Sequence, residues 1–139
     1  MSFLVPNAGE IRMLRFVTGN TAPGTLTLRL YENNKTPEEG DTVSDYTEVS
    51  GYGYSAISLS GANWDFTTDG DGVSTATYNS AQTFTFTGGP VVIYGYYITD
   101  GGGNLVWVER FSVASVTIPA GGGEIEITPY LGLDSNGTS

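Results

Sequence analysis

The sequence predicts an all-β protein, an antiparallel β-sandwich of about eight strands with one short N-terminal helix. Three observations carry this. Apolar and polar residues alternate with a period of two in most segments, as in "TLTLRLY" from residue 25. Turn signals made of Gly, Asn, Asp and Pro recur at spacings of roughly 8 to 15 residues, which suits a sandwich or barrel better than βαβ units. The polar fraction is mostly Gly, Thr, Ser and Asn, and only 14% of residues are charged, against about 25% in soluble domains.

Residues 1–24 read as an N-terminal segment holding the helix. Asn7 is placed to cap it, and Glu10 sits three residues later, as a capping box requires. Ile11, Leu14 and Val17 or Thr18 then recur at helical spacing, and Gly19 is the stop. The same stretch alternates as Ile11 and Met13 against Arg12 and Leu14, so a strand is the competing reading. In "TLTLRLY", Leu26, Leu28 and Leu30 point one way, with Thr27, Arg29 and Tyr31 opposite. "ENNKTPEEGD" is a polar connection rich in turn residues and acids. Residues 54–59 form a strand with Ile57 and Leu59 inward, ended by "SGAN". Trp64 and Phe66 belong to a short strand or ordered loop before the "TTDGDG" turn.

Two Thr-rich strands follow, 73–78 and 82–87, with Phe84 and Phe86 on one face. An aromatic hairpin spans 91–99 and 105–112 around "DGGGN". The last pair is 114–118 and 124–128, joined by "PAGGG". Residues 25–133 therefore make a single β-sandwich domain, and "DSNGTS" at 134–139 a flexible tail. A chain of 139 residues with 39% hydrophobic content can bury a real core.

Composition excludes several functions. Fifteen acidic and five basic residues give a net charge of −10, which opposes nucleic acid and anionic membranes. Arg12, Arg15, Arg29, Lys35 and Arg110 are too scattered for a phosphate-tracking groove. No apolar run approaches the roughly 20 residues of a membrane helix, and no signal peptide is expected at the start. Cysteine and histidine are absent. That removes disulfides and thiolate metal sites, the commonest general base and the usual activator of a serine nucleophile.

The remaining polar motifs read as structure. Glu124 and Glu126 share one strand face about 7 Å apart, a spacing that glycosidases use. Their chemistry, however, places carboxylates across a cleft on either side of a bond. Asp69 and Asp71 in "DGDG" are candidate calcium ligands, yet no glutamate closes the loop and Asp-Gly is an ordinary hairpin turn. The glycine triplets at 101–103 and 121–123 open no helix and precede no lysine, so they are turns. Asn136-Gly137-Thr138 matches a glycosylation sequon without a secretion signal. No enzyme activity, cofactor or metal is expected.

The aromatic hairpin is the strongest feature. Val91, Ile93 and Tyr97 alternate with Val92, Tyr94, Tyr96 and Ile98, and Leu105, Trp107 and Phe111 with Val106 and Val108. Both faces are apolar, so both need covering. Three readings compete: cover from within the chain, contact with another subunit, or an open platform for a sugar built on Tyr94, Tyr96 or Trp107.

The succession "VPNAGEIRML", "LTLRLYENNKTPEEGDTVSDYTE", "NW", "VVIYGYYITDGGGNLVWVERF" and "GEIEITP" resembles small virion proteins of tailed bacteriophages, of the capsid decoration or cement type. The similarity runs from about Val5 to Pro129. It implies a jelly-roll sandwich, often a homotrimer, seated on the capsid exterior where major capsid protein subunits meet, and assembled in the host cytoplasm. It brings no catalytic residues. By analogy, Arg12 and Arg15 are candidates for docking on the shell, beside Tyr94, Tyr96 and Trp107 as partner or subunit contacts. The competing expectation is a glycan- or receptor-binding module of a tail or fibre.

Overall fold

A computed structural model of the chain describes residues 2–133. The tail predicted at 134–139 and the sequon at Asn136 lie outside the described residues. Within them are one α-helix, α1 (Asn7–Val17), two single 3-10 turns (Val43–Asp45 and Gly61–Asn63) and twelve strands. The strands are β1 (Ser2–Leu4), β2 (Leu26–Tyr31), β3 (Ile57–Leu59), β4 (Trp64–Thr68), β5 (Ser74–Tyr78) and β6 (Gln82–Phe86). They continue with β7 (Val91–Ile93), β8 (Gly95–Thr99), β9 (Leu105–Arg110), β10 (Val116–Ile118), β11 (Gly123–Ile127) and β12 (Tyr130–Leu133).

All pairings are antiparallel. One sheet has the order β1-β9-β8-β2-β3, a second β12-β5-β4, and β11-β6 and β10-β7 form two further pairs. The second half of the chain is nested: β8 pairs with β9, β7 with β10, β6 with β11 and β5 with β12. A doubled ribbon of this kind, folded over into two layers, is a jelly-roll-like sandwich.

Twelve strands stand where the periodicity gives about eight. β1 and β12 were not expected, and β1 joins the N-terminal segment to the main sheet through Phe3 opposite Glu109. The single strand expected at 91–99 is two. β7 pairs with β10, and after Tyr94 the chain moves into the five-stranded sheet as β8. Gly95 makes that step possible, because a Cβ there would run into the Glu109 carbonyl and the Tyr31 ring. Alternation along a strand does not register a change of partner.

The core lies between the main sheet and the short pairs. Leu28 and Leu30 of β2 and Ile98 of β8 pack with Phe84 and Phe86 of β6, Ile93 of β7 and Ile118 of β10. Tyr54 stacks on Phe84 and Phe86, with ring centroids 5.6 and 6.1 Å away. Each ring or branched side chain so buried contributes about 1.5–3 kcal/mol relative to exposure.

The outer face of the main sheet carries a second cluster, Tyr31, Tyr97, Leu105 and Val108 with Tyr46. Its cover comes from the same chain. The polar connection after β2 folds back so that the Tyr46 ring sits 4.9 Å from Tyr31 and 5.7 Å from Tyr97. The Tyr46 hydroxyl donates to Asp41 Oδ2 at 2.6 Å, and Lys35 bridges Glu38 and Asp41 at 2.9 and 3.0 Å. Sequence gives this segment as a loop; the structure makes it a lid.

The helix forms where expected but starts and faces differently. Its N-cap is Pro6, and Asn7 is the first helical residue with no side-chain cap bond. The Asn7 N–H is instead satisfied by the Glu39 carbonyl at 2.8 Å. Gly19 ends the helix in the left-handed region (φ 74°), as a stop glycine should. Gly9 lies directly on the Val106 carbonyl of β9, and Met13 packs against the core. The periodic stripe therefore faces outward: Ile11 is 51% exposed, Leu14 60% and Val17 85%.

Candidate functional site

The structure separates the predicted contact residues. Tyr96 and Trp107 are 2% and 3% exposed in a single copy, so neither is a stacking platform or a subunit contact. β8 and β9 turn Tyr96, Ile98 and Trp107 to the inner face. Tyr94 is half-buried at the corner between β7 and β8, with the Arg110 guanidinium 5.2 Å over its ring. Of the three readings of the hairpin, cover from within the chain holds for Tyr96 and Trp107.

Arg12 is a structural tie. Its Nε donates to Asp100 Oδ2 at 2.8 Å, joining α1 to the β8–β9 turn. Asp100 Oδ1 also accepts from the N–H groups of Gly102 and Asn104, both at 2.9 Å. Burial alone would raise the Asp100 pKa, but the Asn104 and Gly102 donors and the Arg12 guanidinium outweigh it and hold the carboxyl below its usual range. Asp100 thus contributes stability above the ordinary carboxylate pKa that is lost as pH falls through the depressed folded value. Asp100→Ala is expected to cost about 3 kcal/mol at pH 7. Urea unfolding at pH 7 and pH 3 checks this, with the difference between the two proteins shrinking at the lower pH. Arg15 is exposed, and among the described residues its side chain reaches Asn20 Oδ1, at 2.8 Å.

Two apolar surfaces remain open. On α1, Ile11 and Leu14 line a shallow depression with Arg15, Thr18 and Asn20. On the three-stranded sheet, Phe66 of β4 is 74% exposed and Leu133 of β12 is 62% exposed, beside Ala76 and Leu131. Of the acidic motifs, Asp69 Oδ1 accepts from the N–H groups of Asp71 and Val73 at 2.8 and 3.0 Å, which closes the β4–β5 turn. Among the described residues no group of three or more potential ligands gathers to hold a metal. Glu124 and Glu126 are exposed on β11 opposite Thr85 and Thr83. No helix among the described residues is long and apolar enough to cross a membrane.

Glu109 is the residue that sequence reasoning passed over. It pairs across the ladder with Tyr96 and shares the inner face with Trp107 two residues earlier. It is 2% exposed. Among the described residues its two carboxylate oxygens, the Tyr96 hydroxyl and Trp107 Nε1 have no hydrogen-bond partner. The Tyr96 hydroxyl nonetheless lies close enough to Glu109 to favour its charged form. Burial pushes the Glu109 pKa up, against smaller opposing effects from Tyr96 and the amino-terminal charge. A cleft of about 280 Å³ opens beside this group, with Phe111, Val116, Ile125 and Ile127 along its sides and Glu126 among its lining. The signal was legible: the alternation that turns Trp107 inward turns Glu109 inward too.

A scan against protein-family models finds none that matches this chain, and a search of curated proteins finds no match.

Proposed function

We propose that this protein is a virion structural protein that binds an assembled phage capsid from outside and reinforces it through protein–protein contacts, without catalysis. The observation that carries the reading is the outward apolar stripe of Ile11, Leu14 and Val17 on a helix fixed to the sheet. Single exposed apolar residues are normal, whereas a row of them on one rigid element marks an interaction surface. The Gly9 contact and the Arg12–Asp100 pair hold that row in place, so little ordering entropy opposes docking. The net charge of −10 disfavours adhesion to the packaged nucleic acid. As a homotrimer, the form that the motif order implies, the protein would meet a symmetric lattice through several weak contacts at once. The order of sequence motifs supports the same assignment.

Co-sedimentation with undecorated shells tests it. The wild type is expected to saturate the shell and raise its melting temperature. The double substitution Ile11→Glu and Leu14→Glu is expected to weaken binding about thirtyfold or more, while the free protein keeps its own melting curve. Failure of the wild type to sediment with shells, or undiminished binding by the double variant, overturns the reading.

A further inference from the structure

The three-stranded sheet runs out past the core. At its inner end Trp64 and Tyr78 stand opposite each other with ring centroids 5.1 Å apart, and the Trp107 ring lies 6.1 Å from Trp64. One row further out, Phe66, Ala76 and Leu131 share the same face, and Leu133 follows in the next row. Phe66 and Leu133 are exposed. This face carries no charged residue, in a chain whose net charge is −10. β4 is also a sheet edge: among the described residues it pairs with β5 alone. The Asn79 N–H bonds the Asn63 carbonyl, and the Asp69 N–H the Val73 carbonyl, both at 2.9 Å. Hydrogen-bonded and non-hydrogen-bonded pairs alternate along an antiparallel ladder. Asp65 and Thr67 therefore turn their backbone groups to β5, while Trp64, Phe66 and Thr68 turn theirs outward. Open edges are normally blunted by a lysine, a proline or a bulge, and β4 has none of these.

We propose that β4 pairs antiparallel with β4 of a second copy of this chain, about a twofold axis at Phe66. An antiparallel pairing of a strand with itself is self-complementary, as a twofold interface requires. In that register Phe66 lies opposite its own counterpart and Trp64 opposite Thr68, so the outward N–H and carbonyl groups of all three residues are met. The rows of Leu131, Ala76 and Phe66 from the two copies join into one apolar band, with the Phe66 rings as cross-strand neighbours. The charges favour a second copy as the occupant. Two copies of an acidic chain repel each other, but this pairing sets no acid against an acid. Asp65 faces Thr67 of the second copy, and Asp69 faces its Asn63. A partner that docks through its charges finds none to pair with on the Phe66 face. The contact is separate from the helix stripe and does not rest on the capsid reading.

Sedimentation equilibrium of the purified full chain from about 10 to about 500 µM tests this, a range suited to an edge contact smaller than the roughly 1,200 Å² of standard interfaces. The average mass of the wild type is expected to rise with concentration, to about twice that of Phe66→Glu at the top of the range. Phe66→Glu sets like charges directly opposite each other and is expected to weaken pairing at least about tenfold. Thr68→Pro removes an outward N–H, where an edge strand tolerates proline, and leaves the Phe66 face intact. It is also expected to weaken pairing at least about tenfold, since each N–H lost is lost twice across the axis. Thermal melting confirms that both variants are folded, as substitutions at exposed positions should be. A wild-type mass that stays constant with concentration, or pairing undiminished in Phe66→Glu, overturns the proposal and leaves the face to a different partner. Weakening by Phe66→Glu with none by Thr68→Pro overturns the strand pairing and replaces it with a stacking of two apolar faces.

Discussion

Gly9→Ala is expected to lower the stability of the protein by about 3 kcal/mol, the upper end for overpacking a tight contact. Alanine is otherwise the best helix former and should help α1 by up to about 1 kcal/mol, so the sign of the effect isolates the packing. The new methyl group has nowhere to go. It would overlap the carbonyl of Val106, which is backbone in the middle of β9 and cannot rotate aside. Either the helix lifts from the sheet or β9 bends, and β9 lies between β1 and β8. Lifting α1 also strains the Arg12–Asp100 pair. A fall of about 10 °C in the thermal midpoint follows from the size of the chain. A variant that melts at the wild-type temperature or above sinks this account of how the helix is held.

The opposite sign is expected at Glu109. Glu109→Gln keeps the shape and removes a charge that the fold leaves buried, so the variant should be more stable than wild type at pH 8 by about 1–3 kcal/mol. The folded pKa of Glu109 is raised by burial. The stability linked to its protonation is therefore complete below the unfolded value and lost as pH rises through the folded one. Wild type should weaken over that window while Glu109→Gln does not, and the two curves should converge on the acid side. Urea unfolding at pH 5 and pH 8 measures both effects. Loss of stability at pH 8 would falsify the description of Glu109 as unpartnered.

Much of the fold is legible in the chain because period-two alternation is a local property. The Leu26, Leu28 and Leu30 series, the paired Phe84 and Phe86, and the hairpin around residues 100–104 all stand where that pattern puts them. What escaped was set by partners distant in sequence. The division at Tyr94 and Gly95 depends on β10 and β2 being elsewhere. The lid over Tyr31 and Tyr97 depends on Tyr46 and Asp41, which sit in a segment with a loop's composition. The outward turn of Ile11 and Leu14 follows from a glycine rather than from hydrophobicity. Helical spacing identifies a stripe but not the side on which the sheet will lie. Tyr96 and Trp107 looked like contact residues because ring side chains suit interfaces and interiors equally, and only the register of β8 with β9 decides between them.

The nested order of pairs also bears on how the chain can close. Within the nested set only the β8–β9 turn joins neighbours in sequence; the partners β5 and β12 flank everything between them. Attempted alone, that outermost pairing must gather the ends of a long free loop, a large entropic demand met before any contact rewards it. Once the inner ribbons stand, each next pair has only a short slack segment left to draw in. The topology thus works like a zipper with its slider at residues 100–104, where Asp100, ringed by donors, fixes the first tooth.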